Sequence, residues 1–337
     1  MPDRALPAIC AREGLDAASA RPLAGGQSNR VYLLEGRHVL RMGRGAEARR
    51  RLEAEAALLA RLPSEVPAPR VTAAGRLDDW TYQLQPRLDG QPLHHLWPSL
   101  SPRVKDGLMA QLVAALRALH AVSVVGFGPP DDPARRDASW RERCTREYAA
   151  LLAQVPEVGY ALPPAMTGAL ERFLSAHAEA LEPAAPCLVH GDLWPGNLLV
   201  DGERLAAILD WELASQAPRD YELLLIEHFC LYPNDFAEED REVFCAADFA
   251  DYAALFAAHY PEMLATPRLR ERLDFYQAAY ILDVHVDWAR EYGVGGGGPL
   301  SLLAKGANFL SAHGARMFQP DLPGRSAADW YRAYAQP

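Results

Sequence analysis

The chain is poor in cysteine and holds no long hydrophobic run. Its five cysteines, Cys10, Cys144, Cys187, Cys230 and Cys245, are odd in number, scattered, and never spaced as a CxxC pair. That excludes a disulfide framework and a thiolate zinc site, and points to reduced thiols in a cytosol. No segment stays apolar over the ~20 residues a bilayer crossing needs. The N-terminus carries Asp3, Arg4, Arg12 and Glu13 where a signal peptide would place an apolar stretch, so none is expected. Positive charge is in short supply too: 34 Lys and Arg stand against 44 Asp and Glu in 337 residues, a net charge of −10. Neutralising a phosphate backbone needs the opposite balance, so a nucleic-acid partner is not expected. What the chain does have is apolar mass. Hydrophobic residues are 50% of the total, which excludes whole-chain disorder, and the length suits two domains or lobes, each with its own core. No repeat of fixed period is present, and the glycine-rich residues 293–298 read as a loop between helices, since no strand precedes them as in a phosphate cradle.

Turn residues and β-formers alternate over residues 23–41, predicting a hairpin that turns at Gly36. Residues 46–62 carry Leu52, Leu58, Leu59 and Leu62 among Glu and Arg, an amphipathic helix ended by Pro63. Strands are expected over 70–74 and 80–85, with turn text over 75–79 between them. Past Pro86 the pattern becomes helical over 102–121, 139–154, 165–181 and most of 220–317. One island of strand text interrupts it: residues 187–189, then 197–200, the turn Asp201-Gly202, and 205–210.

The polar residues at the ends of that island carry the chemistry. His190-Gly191-Asp192 is followed by Asn197, five residues after the aspartate, and a second aspartate, Asp210, follows the hairpin in Ile208-Leu209-Asp210-Trp211-Glu212. That order and spacing match the phosphoryl-transfer pattern of His-x-Asp, Asn and magnesium-holding Asp. A carboxylate accepts or orients the proton of an attacking hydroxyl, a task for Asp192. Hard oxygen donors suit Mg²⁺, a task for Asn197 and Asp210. A His-based metal hydrolase would need further ligands near His190, and none is evident, so His190 reads as a brace of the loop.

These segments resemble the aminoglycoside phosphotransferase and choline kinase superfamily, small-molecule relatives of the protein kinases. The resemblance covers most of the chain, including Gly25-Gly26-Gln27-Ser28-Asn29 and Leu84-Gln85-Pro86-Arg87. It implies an α+β, bilobal protein-kinase-like fold, with an N-lobe of antiparallel sheet plus one helix over residues 1–87 and a mainly helical C-lobe over 88–337. It implies ATP between the lobes, with Gly26, Ser28 and Asn29 at the phosphates and backbone groups from Gln85 to Arg87 at the adenine. Arg41 stands where many relatives have Lys; by the resemblance it grips the phosphates and pairs with a helix carboxylate, Glu55 in preference to Glu53. Asp220, ten residues beyond Asp210, resembles the family's buried carboxylate that holds the catalytic loop by accepting backbone N–H bonds.

The acceptor is less legible, because one fold hosts many substrates. Asp283, Asp287 and Glu291 share one face of a late helix, with Trp288 adjacent, a stripe able to receive a cation or to stand as a plain solvated face. Trp194 in the loop is similar to the fructosamine kinases, keeping an amino sugar among the acceptors beside antibiotics, choline and thiamine. The expectation is thus a cytosolic phosphotransferase using Mg²⁺ and ATP on a small cationic hydroxyl compound. The alternatives are a non-catalytic nucleotide-binding module and an enzyme of this fold transferring AMP to a protein.

Overall fold

The computed structural model describes residues 5–23, 29–157, 164–231, 233–236 and 244–292. In chain order these hold α1 (Ala5–Glu13), β1 (Arg21–Pro22), β2 (Arg30–Leu34), β3 (His38–Arg44), α2 (Gly45–Leu59), β4 (Ala73–Leu77), β5 (Trp80–Pro86) and β6 (Gln91–Pro92). There follow α3 (Leu93–Leu96), α4 (Pro102–His120), α5 (Trp140–Glu157), α6 (Pro164–His177), β7 (Cys187–Val189), β8 (Leu198–Asp201) and β9 (Arg204–Ile208). The last are β10 (Ser215–Ala217), α7 (Leu223–Leu231), α8 (Tyr252–His259), α9 (Pro261–Leu264) and α10 (Leu269–Tyr292).

The chain forms two compact units that are discontinuous in sequence. One takes residues 1–122, 130–133 and 190–214; the other takes 123–129, 134–189 and 215–337. The change from sheet to helix does fall at Pro86, yet the first unit runs on through α4 and regains the chain at His190. One fastening between them is the side chain of Gln111 on α4. Its Nε2 donates to the Glu203 carbonyl and its Oε1 accepts from the Leu205 N–H, both at 2.9 Å, fastening α4 to the β8–β9 hairpin.

In the first unit a five-stranded antiparallel sheet runs β1-β2-β3-β5-β4. Its core, with Leu34, Leu40, Met42, Tyr82 and Leu84, is covered by Ile9 and Cys10 of α1, a helix whose amphipathic text is too short to stand out in the sequence. Strand β4 begins at Ala73, not at Arg70, and keeps pairing through Leu77, leaving only Asp78-Asp79 as the turn. Asp78 takes a positive φ of 51° there, which a short acidic residue tolerates in a tight hairpin. A second small sheet runs β6-β8-β9, with Asn197 just before β8 and Asp210 just after β9. Helix α4 starts at Ser101, whose hydroxyl caps Val104, with Pro102 in the first turn. It buries Leu108, Leu112, Leu116 and Leu119, recurring at helical spacing.

The second unit is helical apart from the β7–β10 pair. Its centre is an ion pair: Arg272 of α10 clasps Asp220 with Nε at 2.7 Å and Nη2 at 3.0 Å, both side chains almost wholly buried. Tyr276 donates its hydroxyl to the same carboxylate at 3.0 Å and receives the Trp140 indole N–H at 2.9 Å. This corrects the expectation for Asp220. Its oxygens are taken by Arg272 and Tyr276, and no backbone N–H of the catalytic loop reaches them among the described residues. A charge-assisted fork outcompetes neutral amides for a buried carboxylate.

Candidate active site

The candidate catalytic segment is shaped by hydrogen bonds internal to residues 190–211. His190 takes the Asp192 N–H on Nδ1 at 3.2 Å, so the ring proton sits on Nε2 and is donated to the Leu209 carbonyl at 2.8 Å. The imidazole is thereby a brace between the loop and β9, as expected. Gly191 has φ +80°, and a Cβ there would lie 2.4 Å from the Leu213 carbonyl oxygen, so only glycine fits. The Trp194 indole lies over the α-carbon of Gly196, where a Cβ would meet it at 1.9 Å. That packing sets the short turn Pro195–Asn197.

From this turn Asn197 reaches back. Its Nδ2 donates to the Asp192 carboxylate Oδ2 at 2.8 Å and to the Asp192 carbonyl at 2.9 Å. The amide thus faces Asp192 with its N–H pair and leaves its carbonyl oxygen as a hard donor. Asp210 follows β9 with a positive φ of 60°, a conformation few side chains adopt without a compensating role. Its Oδ1 is buried without a hydrogen bond, and the nearest cationic atom, Arg41 Nη2, stands 3.8 Å away. An orphaned carboxylate oxygen beside a donor-only cation, with a second carboxylate following two residues on, fits an Mg²⁺ ligand set. That neighbour, Glu212, has its pKa raised by burial and by Asp210; sequence reading passed it over although it belongs to the same Asp-x-Glu text.

Arg41 on β3 is ion-paired with Glu55 of α2, and both are largely buried. Burial raises the Glu55 pKa while Arg41 opposes the shift. Glu53 points elsewhere, to Arg76 on the surface at 2.7 Å. The choice of Glu55 over Glu53 agrees with this geometry.

At the end of β5 the backbone is partly committed. Arg87 donates its N–H to the Arg37 carbonyl at 2.7 Å, and its exposed side chain lies over Gly36. Gln85 and Arg87 face β3, so Pro86, which has no N–H, faces the other way, past the end of β4. Of the stretch expected at the adenine, the Arg87 amide is already spent. Asn29 packs its Oδ1 against Gly43 without a hydrogen bond. Gly26 and Ser28 lie outside the described residues.

A cavity of about 360 Å³ opens in the helical unit, lined by Trp140, Glu147, Tyr148, Tyr221, Tyr280 and Asp283 among others. Asp283 therefore lines a pocket. The side chains of Asp287, Trp288 and Glu291, further along α10, lie outside the described residues.

His94 of α3 is a residue the sequence did not single out. It is buried with its ring 5.2 Å from that of Trp194, and burial, with His95 adding to it, pulls its pKa down to about 4. An unfolded histidine binds its proton near about pH 6.5 and the native one does not, so stability falls with pH between about 6.5 and 4, by about 3 kcal/mol in total. Urea midpoints at pH 7 and pH 4 check this: His94→Phe should lose that much less than the parent on acidification, and equal losses would remove the effect from His94.

No group of three or more His, Cys, Asp or Glu side chains forms a metal cluster among the described residues, and no described helix is long and apolar enough to cross a membrane. Comparison with curated proteins returns no match. The fold is similar to that of a thermostable mutant of aminoglycoside phosphotransferase APH(4)-Ia in ternary complex with ADP and hygromycin B. The TM-score is 0.65 and the identity 20%, covering 90% of this chain and 95% of that one. It is also similar to ADP-bound aminoglycoside phosphotransferase APH(2'')-Ib (TM-score 0.61, identity 16%, covering 94% and 99%). The GDP complex of aminoglycoside 2'-phosphotransferase-IIIa is a third likeness (TM-score 0.62, identity 17%, covering 89% and 94%). The model of the phosphotransferase enzyme family APH matches residues 19–264. A match over most of the chain, on the fold those likenesses share, means that the protein belongs to the APH phosphotransferase enzyme family and has a bilobal, protein-kinase-like α+β fold.

Proposed function

We propose that the enzyme transfers the γ-phosphoryl group of ATP to a hydroxyl of a small cationic molecule, an aminoglycoside-like antibiotic or an amino-bearing metabolite. The observation that carries this is the Asp192–Asn197 hydrogen bond beside the orphaned oxygen of Asp210. Asp192 orients and deprotonates the acceptor hydroxyl. Asn197 and Asp210 hold Mg²⁺, with Glu212 as the adjoining carboxylate. Held there by Asn197 and Asp210, Mg²⁺ would supply positive charge that offsets the phosphates. Arg41, steadied by Glu55, grips the phosphates in the same region, and the turn with Gly26, Ser28 and Asn29 covers them. The base lies against the end of β5, at Gln85 and the backbone around Arg87. In this reading residues 1–87 form the nucleotide-covering lobe and 88–337 the lobe that supplies catalytic loop and acceptor site. Its place is the cytosol, where ATP is available and the five free thiols stay reduced.

The acceptor class draws support from the cavity in the helical unit. Its walls combine two carboxylates, Glu147 and Asp283, with aromatic faces, a lining that attracts amines by charge and cation–π contact. On this reading Asp287, Trp288 and Glu291 extend the acceptor face along α10. Related structures hold hygromycin B and, in an ATP ternary complex, streptomycin. The test is ADP release from Mg-ATP over a panel of aminoglycosides, other cationic antibiotics, choline, thiamine, amino sugars and neutral sugars. Stimulation by amines, lost in Asp283→Asn with Glu147→Gln, is the expected result. Stimulation by neutral sugars alone would overturn the cationic assignment.

A further inference from the structure

Two glutamines on β5 form a hydrogen-bonded relay of fixed polarity. Residues two apart on a strand share a face, and Gln83 and Gln85 lie on the face that also carries their cross-strand partners Arg41 and Val39. Both are more than nine-tenths buried. The Gln83 Nε2 donates to the backbone carbonyl of Leu52 in α2. A peptide carbonyl only accepts, so the orientation of the Gln83 amide is decided: nitrogen toward α2, oxygen toward Gln85. That oxygen takes the Gln85 Nε2 at 3.3 Å. The polarity therefore passes on, and Gln85 is left presenting Oε1, which accepts no hydrogen bond among the described residues.

Among the described residues no donor meets that oxygen, although the residue that carries it is largely enclosed. Here it stands one residue before Pro86, the last residue of β5. A lone acceptor of fixed direction discriminates sharply between ligand groups, because it welcomes an N–H and repels another oxygen. Among purine nucleoside triphosphates the 6-position offers that contrast: an amino group in ATP, a carbonyl in GTP and ITP.

We propose that Gln85 is the nucleobase-specificity residue of this kinase, its Oε1 accepting a hydrogen bond from the 6-amino group of ATP. Gln83 is the positioning residue that prevents the Gln85 amide from turning over to offer Nε2 to a 6-oxo base. The inference rests on the reading above that the base lies against the end of β5.

The experiment is calorimetric titration of the full chain with Mg-ATP, Mg-GTP and Mg-ITP; ITP carries the 6-oxo group without the 2-amino group of GTP. The parent should bind ATP at least about tenfold more tightly than either 6-oxo nucleotide. In Gln85→Met, ATP should weaken about tenfold while GTP and ITP stay put, so the preference collapses. In Gln83→Met, where the relay is cut but Gln85 remains, ATP should change little and ITP should gain about fivefold, because the freed amide can rotate. The ratio of the two affinities is a readout that a merely structural role of Gln83 would not move. Variants that still bind ATP with the parental ATP-to-ITP ratio overturn the relay. Arg41→Met separates this from failure of the site itself. An equal loss of affinity for all three nucleotides supports nucleotide binding on this sheet face, and unchanged affinity for all three overturns the site reading instead.

Discussion

Asp192→Asn lowers turnover about 10²- to 10⁴-fold while Mg-ATP affinity stays within about twofold of the parent, as expected for loss of a general base that holds no metal. The substitution is chosen for its geometry. Asn197 anchors the loop by donating to the Asp192 carboxylate and to the Asp192 carbonyl. An asparagine at 192 still offers one acceptor oxygen to that amide, so the turn survives and the missing function is proton transfer. Alanine would remove the side-chain half of that anchor as well and mix two effects. Asp210→Ala provides the contrast, since it removes a carboxylate oxygen with no hydrogen-bond partner among the described residues and should weaken Mg-ATP binding itself. Stopped-assay kinetics with calorimetry on both variants distinguish the roles. Near-parental turnover by Asp192→Asn on an accepted substrate would sink the assignment of the base.

The second large effect concerns folding. Arg272→Met should lower stability by about 3–5 kcal/mol, because it strands the Asp220 carboxylate in the core with only a tyrosine hydroxyl for company. The loss is not the intrinsic worth of the pair. A buried ion pair replaced whole by apolar side chains is often near neutral, so the double variant Asp220→Leu with Arg272→Met should recover much of what either single change loses. Denaturant unfolding of the four proteins yields the coupling directly. Single effects that simply add would show that Arg272 and Asp220 do not sustain one another. The pair also fixes Tyr276, and through it Trp140, two walls of the aromatic cavity. A destabilised Arg272→Met should therefore lose acceptor stimulation before it loses Mg-ATP binding, whose candidate residues lie in the other unit.

Much of the candidate site's local geometry was legible in the chain because its interactions are short in sequence. His190, Asp192 and Asn197 act on one another across five residues or fewer, and a single hairpin returns Leu209 and Asp210 to them. A pattern of residue types at fixed spacing describes such a site almost completely. Glu55 was legible for a related reason. A helix that follows β3 directly brings one face of α2 to that strand, so the choice lay between two glutamates.

Interactions between distant positions were not legible in this way. Asp220 finds Arg272 across 52 residues, and nothing near either position marks the other as its partner. The same holds for Gln111, 94 residues from Leu205, which draws α4 into the unit of the sheet. The relay from Leu52 to Gln83 was equally hidden, since glutamine in a strand reads as an ordinary polar residue until the carbonyl facing it is known.

By itself, then, the amino-acid sequence determined the class of chemistry, the candidate residues of one loop and the alternation of sheet and helix, because these depend on local spacing and on hydrophobic periodicity. Only the tertiary structure decided where buried charges find partners, which amides are spent and which oxygens are left facing open space. Such choices follow from the need to satisfy every polar group removed from water, and that need is met by whichever groups the fold brings together, however far apart they stand in the chain.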